Sequence, residues 1–357
     1  MANEEKPKNF FTLFFKDKKK VIILIVILVL AASAIAGYFV FGNKENDKNK
    51  IINNVNGSKE VLVRRYIDGV YDVKENQNLY PVGLMIENLV TVRPQAGLDK
   101  ANLVYEALVE GGITRFLAFF SISEPIDAIG PIRSARPYFL DWAKEFDALY
   151  GHVGGSPEAM SLISKYDIFN LDQFYDSKYY WREKTKEAPH NVFTASKFLV
   201  FALRDKEASS LGKYDPWLFK DDKDLSLRPK DEKNITIDFS SYSYKVEYKY
   251  NKEENSYLRF QGGEPHKTTN DKQISAKNVV VQYVKTSLAD EGRLRMETIG
   301  SGKALIFQDG EVKQATWKKE GRETRTRFYN ENNQEIEFNA GQTWVEIVPS
   351  DREITYN

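Results

Sequence analysis

Arginines beside a helix start are the residues of this sequence best suited to binding an anion. Arg133 and Arg136 flank Ser134 in GPIRSARPYFLDW, between Pro131 and Pro137. Serine often caps a helix, and the free backbone N–H groups at a helix start favour negative charge. A guanidinium group grips phosphate or carboxylate oxygens through two parallel hydrogen bonds. The segment therefore predicts a helix capped by Ser134, with an anion site at its start.

A second helix start has the same character. The segment GHVGGSPEAM leads from a strand through Gly154 and Gly155 to Ser156, which precedes Pro157. Ser before Pro is a strong helix-start signal, and glycine lets the backbone approach a ligand closely. His152 lies at the end of the strand that feeds this turn. In an open α/β sheet, the carboxyl ends of strands that face helix starts form the usual ligand crevice.

Five further residues near turns complete the predicted ligand-binding set: Arg93, Arg115, Arg182, His190 and Asn191. Structural explanations stay open, because capping accounts for a Gly-Gly-Ser turn and exposed arginines often form weak ion pairs. Neither a metal nor a cofactor is predicted, and no catalytic residue can be named. The chain has no cysteine, and its three histidines do not form a recognisable zinc pattern.

The overall charge argues against a nucleic-acid partner. The chain has 51 basic and 51 acidic side chains, so its formal net charge is zero. Proteins that bind nucleic acid usually present a broad positive field to the phosphate backbone. A balanced chain gives no general basis for such a field, and any anion site must therefore be local.

Alternating strands and helices must position these residues in the first half of the chain. Short apolar runs predict buried strands at Pro81–Glu87, Ile113–Ser121 and Ala148–Val153. Amphipathic segments, or segments preceded by a Ser or Thr cap, predict helices at Ala135–Phe146, Pro157–Lys165 and Ala195–Arg204. The pattern predicts an α/β domain over residues 78–210.

The second half has the pattern of a β domain. A linker over residues 211–234, rich in Gly, Pro and charge, precedes it. Turn signals separate its strand-like runs, which are Ile235–Ser240, Tyr244–Tyr250, Tyr257–Phe260, Asn278–Val284, Gly302–Gln308, Thr324–Tyr329, Glu335–Phe338 and Thr343–Val348. We therefore predict a mainly antiparallel β domain over residues 235–355.

The N-terminal part has the pattern of a membrane anchor. Residues 21–41 read VIILIVILVLAASAIAGYFVF and carry no charge, so they predict one helix that crosses the membrane. Lysines in the basic segment 1–20 place the N-terminus in the cytoplasm, and residues 42–77 are predicted to be a flexible stalk outside. A cleaved signal peptide is the alternative, because Ala34 and Ala36 precede a glycine. Both interpretations place the two domains outside the cell.

Long segments of both halves carry a resemblance. In the first half they include IGPIRSARPYFLDWA, YGHVGGSPEA and YWREKTKEAPHNVFTA, and in the second GSGKALIFQDGEVKQATWKK. These segments resemble the YerB-like family of Gram-positive surface proteins. The resemblance implies a two-domain, membrane-attached protein outside the cytoplasm, and it names no reaction. Family members are often lipoproteins acylated on a cysteine. This chain has no cysteine, so its apolar segment is predicted to replace the lipid.

Three functions are consistent with these features, and whether the protein is an enzyme stays open. The first is binding of an anionic envelope component, such as a wall polymer or a lipid-linked glycan precursor, with the membrane as the second partner. The second is metal-dependent transfer of glycopolymers, because the order of the two helix starts is loosely similar to that of LytR-CpsA-Psr enzymes. The third is a protein-interaction scaffold, in which the arginines pair internally with Glu106, Glu110 or Asp141.

Overall fold

The computed structural model describes residues 50–53, 59–230 and 233–357, with side chains described from Val61 onward. The predicted cytoplasmic segment 1–20 and the predicted anchor 21–41 lie outside the described residues. Among the residues that are described, no helix is both long and apolar enough to cross a membrane. Residues Lys50–Asn357 form one compact unit.

The three predicted helices are present, and their bounds are α1 (Pro137–Lys144), α2 (Pro157–Lys165) and α3 (Ser196–Asp205). The predicted cap of α2 is confirmed, because Ser156 Oγ accepts a hydrogen bond from the Ala159 backbone N–H at 3.3 Å. The predicted threonine cap of α3 is wrong. Ala195 holds the cap position, and the Thr194 hydroxyl instead donates to the Tyr179 carbonyl oxygen at 2.8 Å.

The strands of the first half, up to residue 210, precede and separate these helices along the chain. They are β1 (Lys50–Asn53), β2 (Lys59–Arg64), β3 (Tyr71–Asp72), β4 (Val82–Glu87), β5 (Leu103–Leu108), β6 (Thr114–Phe120), β7 (Leu149–His152), β8 (Asn170–Asp172), β9 (Trp181–Arg182) and β10 (Val192–Phe193). The strand β5 was absent from the sequence prediction, although it lies near the middle of the main sheet.

The second half consists mainly of strands. They are β11 (Phe219–Lys220), β12 (Ile235–Asp238), β13 (Lys245–Asn251), β14 (Ser256–Gln261), β15 (Glu264–Pro265), β16 (Ser275–Ala276), β17 (Asn278–Val284), β18 (Thr286–Leu288), β19 (Leu294–Met296), β20 (Gly300–Gln308), β21 (Glu311–Lys319), β22 (Arg327–Tyr329), β23 (Phe338–Asn339), β24 (Thr343–Pro349) and β25 (Thr355–Tyr356). The predicted β-rich, two-part organisation is confirmed.

Both halves contribute to one ten-stranded sheet. Its order is β22-β21-β20-β17-β24-β5-β6-β4-β7-β8. The pairs β17–β24, β24–β5, β4–β7 and β7–β8 are parallel, and the other pairs in this sheet are antiparallel. Strand β24 from the end of the chain thus inserts beside β5, and the two halves share a continuous backbone ladder.

The helix α1 packs on one face of this sheet. Trp142 stacks on Tyr105 of β5, with ring centroids 5.2 Å apart. Glu145, the residue that follows α1, is buried and accepts a hydrogen bond from the Tyr105 hydroxyl at 2.7 Å. Two residues of the second half, Lys319 and Arg325, form ion pairs with the same carboxylate. This clamp fixes the second half to the helix of the first.

A smaller sheet covers the opposite face. Its order is β15-β14-β13-β12-β25, with β16 also paired to β14. Arg259 of β14 is fully buried there and forms an ion pair with Glu106 of β5. The guanidinium group also lies 4.4 Å from the centre of the Trp344 ring of β24.

Two predicted connecting segments are folded parts of the body. The flexible stalk predicted over residues 42–77 is wrong for its later part, because Ile67 and Asp68 are buried and Asp68 accepts a hydrogen bond from Asn102 at 2.7 Å. In the predicted linker 211–234, Trp217 is buried and donates to the Thr326 carbonyl oxygen at 2.8 Å. The polar composition of the two segments predicted flexible connections, but it concealed the few apolar side chains, such as Ile67 and Trp217, that pack into the body.

Candidate anion site at the carboxyl edge of the sheet

One edge of the main sheet collects the candidate residues. Strands β5, β4, β7 and β8 run in the same direction, so their carboxyl ends meet at this edge, where β6 begins. Helices α1 and α2 also begin close to this edge. The first follows the segment that contains Arg133, and the second follows β7, each within a few residues. Strand ends that face helix starts form the usual ligand crevice of such sheets.

Three segments singled out in the sequence run side by side at this carboxyl edge. The Ala135 N–H donates to the Gly154 carbonyl oxygen at 2.9 Å, and the Val153 N–H donates to the Arg133 carbonyl oxygen at 3.1 Å. The Ile132 N–H donates to the Val192 carbonyl oxygen at 2.7 Å, which brings the segment with His190 alongside. Residues far apart in the chain are thus held within a single region.

The start of α1 differs from the prediction. Arg136 holds the cap position without a side-chain cap bond, and Pro137 is the first helical residue, so the predicted Ser134 cap is wrong. The helical backbone conformation is disfavoured for a residue that precedes proline. Arg136 therefore stays extended, and the helix begins only at Pro137. Ser134 contributes its backbone instead, since its carbonyl oxygen accepts a hydrogen bond from Arg115 Nη1 at 2.8 Å.

Two arginines of the region have carboxylate partners. Arg136 grips Glu110 with two parallel contacts, Nε to Oε1 at 2.5 Å and Nη2 to Oε2 at 2.8 Å. Burial raises the pKa of Glu110, but hydrogen bonds and charge from Arg136 outweigh it and lower the pKa below its ordinary value. Arg133 Nε lies 3.1 Å from Glu87 Oε1, close enough for an ion pair but not aligned for a hydrogen bond. His190 Nδ1 contacts the same carboxylate at 2.9 Å.

Arg115 has no carboxylate within ion-pair distance among the described residues. It is 6% exposed, and its Nε has no hydrogen-bond acceptor in the described protein. Burial, together with the nearby charges of Arg136 and Arg133, lowers the pKa of Arg115 to about 10, although Tyr138 and Glu110 oppose the shift. A buried guanidinium in a positive surrounding is electrostatically costly.

Tyr150 adds a second buried donor without a partner. Its hydroxyl is buried and no described group forms a hydrogen bond with it. Tyr150 pairs with Gly83 of β4, and Arg115 pairs with Glu87 of β4, so both side chains leave the sheet on the same face. Burial raises the pKa of Tyr150, while the positive charges of Arg115 and Arg136 oppose the rise.

We call Arg115, Arg133, Arg136, Tyr150, Glu87 and Glu110 the arginine cluster. It holds three guanidinium groups and two carboxylates, so its formal charge is 3 − 2 = +1. Three buried donors of the cluster, Arg115 Nε, Arg133 Nε and the Tyr150 hydroxyl, form no hydrogen bond, although Arg133 Nε has an ion-pair partner in Glu87. The surplus charge and these donors match one bound anion, and charge-assisted hydrogen bonds would be strong in this buried setting.

His152 does not enter the arginine cluster. It is fully buried, with Nδ1 2.7 Å from the Gly154 carbonyl oxygen and Nε2 2.6 Å from Asn170 Oδ1. Gly154 has a φ of 55° and donates its N–H to Asp172 Oδ1 at 2.9 Å. Gly155 pairs with Ala135. These residues shape the Gly-Gly turn and support the segment that carries the arginines.

The other predicted residues lie beside the cluster or away from it. Arg93 hydrogen bonds to Asn88 and, at 2.9 Å, to the Ser243 carbonyl oxygen, so it joins the two halves. Arg182 Nη1 donates to Asn191 Oδ1 at 2.9 Å, next to His190 at the carboxyl edge.

Sequence reasoning missed two members of the cluster, Glu87 and Tyr150. Glu87 ends a correctly predicted strand, and Tyr150 lies two residues before His152 in another. The period of two along a strand could have placed Tyr150 on the same face as His152. Within the described part of the chain, no group of three or more His, Cys, Asp or Glu residues is placed to hold a metal ion.

Comparisons with known proteins identify the family. A family described as "Protein of unknown function (DUF3048)" matches through its N-terminal domain at residues 68–209 and its C-terminal domain at residues 235–345. YerB of Bacillus subtilis (strain 168), whose name describes it as a candidate lipoprotein, is 32% identical over 281 residues, which are 75% of this chain and 81% of YerB. This chain belongs to the YerB-like family.

The fold agrees with this membership. The crystal structure of YerB from Bacillus subtilis matches with a TM-score of 0.74 and 28% sequence identity, covering 82% of this chain and 99% of that chain. All members of the arginine cluster lie within the matched N-terminal domain of the YerB-like family. The family description names no activity, so the role of the cluster must be argued from its geometry.

Proposed function

We propose that this YerB-like protein is a membrane-associated, extracytoplasmic protein that binds an anionic group of a cell-envelope component in the arginine cluster. The anion is a phosphate or carboxylate. Arg115 and Tyr150 bind it directly, while Arg133 and Arg136 supply the surrounding positive field. The proposal assigns no reaction to the site.

The observation that carries the proposal is the pair of buried donors on Arg115 and Tyr150. A buried polar group without a partner costs about 1–3 kcal/mol, and more when it is charged. Such groups are rare in folded proteins, and each one calls for an explanation. A bound anion would satisfy both donors and neutralise the surplus charge of the cluster at once. Capping explains neither donor, since Arg115 Nε and the Tyr150 hydroxyl form no hydrogen bond with any described group.

Membrane association rests on two separate features. The relative YerB is named as a candidate lipoprotein, and lipoproteins are attached to membranes. In this chain the uncharged run at residues 21–41 is predicted to take the place of the lipid, and the lysines before it predict that the body lies outside the cell. An anion site on such a body would meet envelope polymers and lipid-linked precursors.

Titration calorimetry of the full-length chain with two soluble polyanions tests the proposal. Poly(glycerol phosphate) supplies phosphodiesters and polyglutamate supplies carboxylates, so the two arms distinguish the sources of the anion. Arg115→Met should weaken binding of the preferred polymer at least about tenfold, since a buried charged hydrogen bond contributes about 1.5–3 kcal/mol. The control is Arg204→Met, which removes an arginine whose side chain is 70% exposed. Equal affinities of wild type and Arg115→Met for both polymers would reject the site.

A scaffold role is the second candidate, and the internal pairs of the cluster favour it. Arg136 is fully engaged by Glu110, as the scaffold hypothesis expected, and Arg133 is held by Glu87. These pairs do not account for Arg115. The scaffold therefore gains support only if Arg115→Met leaves polyanion binding unchanged. Transfer of glycopolymers stays a prediction from the sequence.

A further inference from the structure

Two exposed aromatic side chains stand at the same carboxyl edge as the arginine cluster. Phe174 and Tyr175 follow β8 after one intervening residue, and they are 66% and 84% exposed. The Phe174 ring lies over Gly154, where an added Cβ would be only 2.9 Å from a ring carbon. Gly154 in turn is hydrogen bonded to Ala135, the residue before Arg136. We call Phe174 and Tyr175 the aromatic tip.

A line of polar side chains connects this tip with the arginine cluster. Arg182 donates to Gln173, the residue before Phe174, at 3.1 Å and to Asn191 at 2.9 Å. Asn191 follows His190, which contacts Glu87 of the cluster. The line therefore consists of two planar amides, a guanidinium group and an imidazole, arranged between the cluster and the aromatic rings.

The strand order gives the length of this surface. Arg115 lies on β6, and the tip follows β8, with β4 and β7 between them. Neighbouring strands lie about 4.8 Å apart, so three spacings separate the two ends by roughly 14 Å. A ligand that reaches both ends must be extended and must present an anion at one end.

The chemistry of the tip favours a glycan. A sugar ring has an apolar C–H face that packs on an aromatic ring, whose face is electron-rich. Its hydroxyl groups lie around the edge, where planar amides and guanidinium groups can donate and accept hydrogen bonds. Tyr175 and Phe174 provide the rings, and Gln173 and Arg182 provide the polar edge, with Arg182 held in place by the buried amide of Asn191.

Local charge argues against a membrane surface as the occupant. A protein surface that lies on anionic lipid presents unpaired Lys and Arg beside a large apolar face. Here Lys178 pairs with Asp205 and Lys206 pairs with Asp176, each at 3.1 Å. These two lysines near the tip are therefore neutralised, and Arg182 beside the tip is held by two amide oxygens.

We infer that the ligand of this edge is an anionic glycan, which places its phosphate or carboxylate in the arginine cluster and packs a sugar ring on the aromatic tip. The inference rests on the proposed function, because the cluster must bind the anion. The inference adds the class of ligand, which is a glycan long enough to span the surface with several sugar units. It also assigns Phe174 and Tyr175 to recognition of the sugar rather than of the charge.

The test compares a tip variant with a cluster variant on sugar and non-sugar polyanions. The full-length chain carries Phe174→Ala and Tyr175→Ala together, and the control is Tyr242→Ala, another aromatic residue that is 69% exposed. The sugar probes are galacturonic acid oligosaccharides, which carry carboxylates, and phosphomannan fragments, which carry phosphodiesters. The non-sugar probes are polyglutamate and poly(glycerol phosphate). Affinity is measured by titration calorimetry.

The tip variant should lose at least about tenfold in affinity for the preferred sugar probe, while its affinity for the matching non-sugar probe stays unchanged. Arg115→Met should weaken both. If the tip variant binds the sugar probe as wild type does while Arg115→Met does not, the glycan inference fails and the anion site stands. If Arg115→Met changes neither, the proposed function fails. Phosphatidylglycerol vesicles serve as a further probe. A tip variant that loses binding only to these vesicles would overturn the glycan inference in favour of a membrane surface.

Discussion

Two buried arginines lie against opposite faces of the same sheet, and their surroundings differ in kind. Arg259 forms an ion pair with Glu106, contacts His266 at 2.6 Å and donates to the Tyr248 hydroxyl at 3.2 Å. Burial lowers the pKa of Arg259, but the charge of Glu106 outweighs this and raises it above its ordinary value. Arg115 has one carbonyl partner, and its pKa is lowered to about 10.

Under the proposed function, this difference separates an arginine that holds the fold from one that binds a ligand. The ion pair of Arg259 with Glu106 and its contact with the Trp344 ring join the small sheet to the large one, so its removal must disturb both. Arg115 stabilises little in the protein itself, because its charge is uncompensated and one donor is unpaired. Proteins often sacrifice stability at functional sites, and the arginine cluster fits that pattern.

The largest expected effect is the loss of stability when Arg259 is replaced. Arg259→Met would leave the Glu106 carboxylate buried without its cation, and breaking a buried pair in this way costs about 3–5 kcal/mol. Urea unfolding should show this loss as a lower midpoint. The matched double variant, Arg259→Met with Glu106→Gln, should recover part of the stability. A loss below about 1 kcal/mol for the single variant would remove the contrast between the two arginines.

Arg115→Met should behave differently in the same experiment. Removing a buried cation that lacks a carboxylate relieves a desolvation cost, so the free energy of unfolding should stay within about 1 kcal/mol of wild type or increase. The comparison with Arg259→Met uses the same substitution at two buried sites. A destabilisation as large as that of Arg259→Met would show that Arg115 is a structural residue.

The smallest effect concerns acid stability at the rim of the cluster. Burial raises the pKa of Glu110, but Arg136 outweighs it and holds the pKa below its ordinary value. Ionised Glu110 therefore stabilises the fold above its ordinary pKa of about 4.3, and this contribution is lost as pH falls through the lower folded value.

Glu110→Gln should thus be less stable than wild type near neutral pH and lose less stability between about pH 5 and pH 3. Unfolding by urea at several pH values measures the slope. The control is Glu331→Gln, at an exposed position of the second half. Identical slopes for Glu110→Gln and wild type would show that the Arg136 pair contributes nothing to acid stability.

Much of the fold followed from local patterns in the sequence. The bounds of α2 and β17 are as predicted, because Ser-Pro marks a helix start and a run of valines marks a buried strand. The strands β5 and β21 were missed, since charged residues within LVYEAL and EVKQATWKK interrupt the apolar pattern. In β5 that charged residue is Glu106, whose buried charge is compensated by Arg259.

The candidate site could be predicted only in part, because its decisive partners are remote in the chain. Sequence placed Arg133 and Arg136 at a helix start and Arg115 after a turn, and the structure brings them to one edge. The partners of these residues depend on tertiary contacts, such as that between His190 and Glu87, which are 103 positions apart. The lack of a partner at Arg115 is equally invisible in the sequence, and it is the observation that matters most for function.

The central claim is that the buried donors of the arginine cluster serve a ligand and not the fold. The most direct measurement is the shift in unfolding temperature that the preferred polyanion causes in wild type and in Tyr150→Phe. Ligand that binds the folded state raises this temperature. Without ligand, Tyr150→Phe should unfold at the same temperature or higher, since it loses a buried hydroxyl that has no partner. With ligand, its shift should be clearly smaller than that of wild type. Equal shifts, or an unliganded variant that unfolds earlier, would contradict the claim.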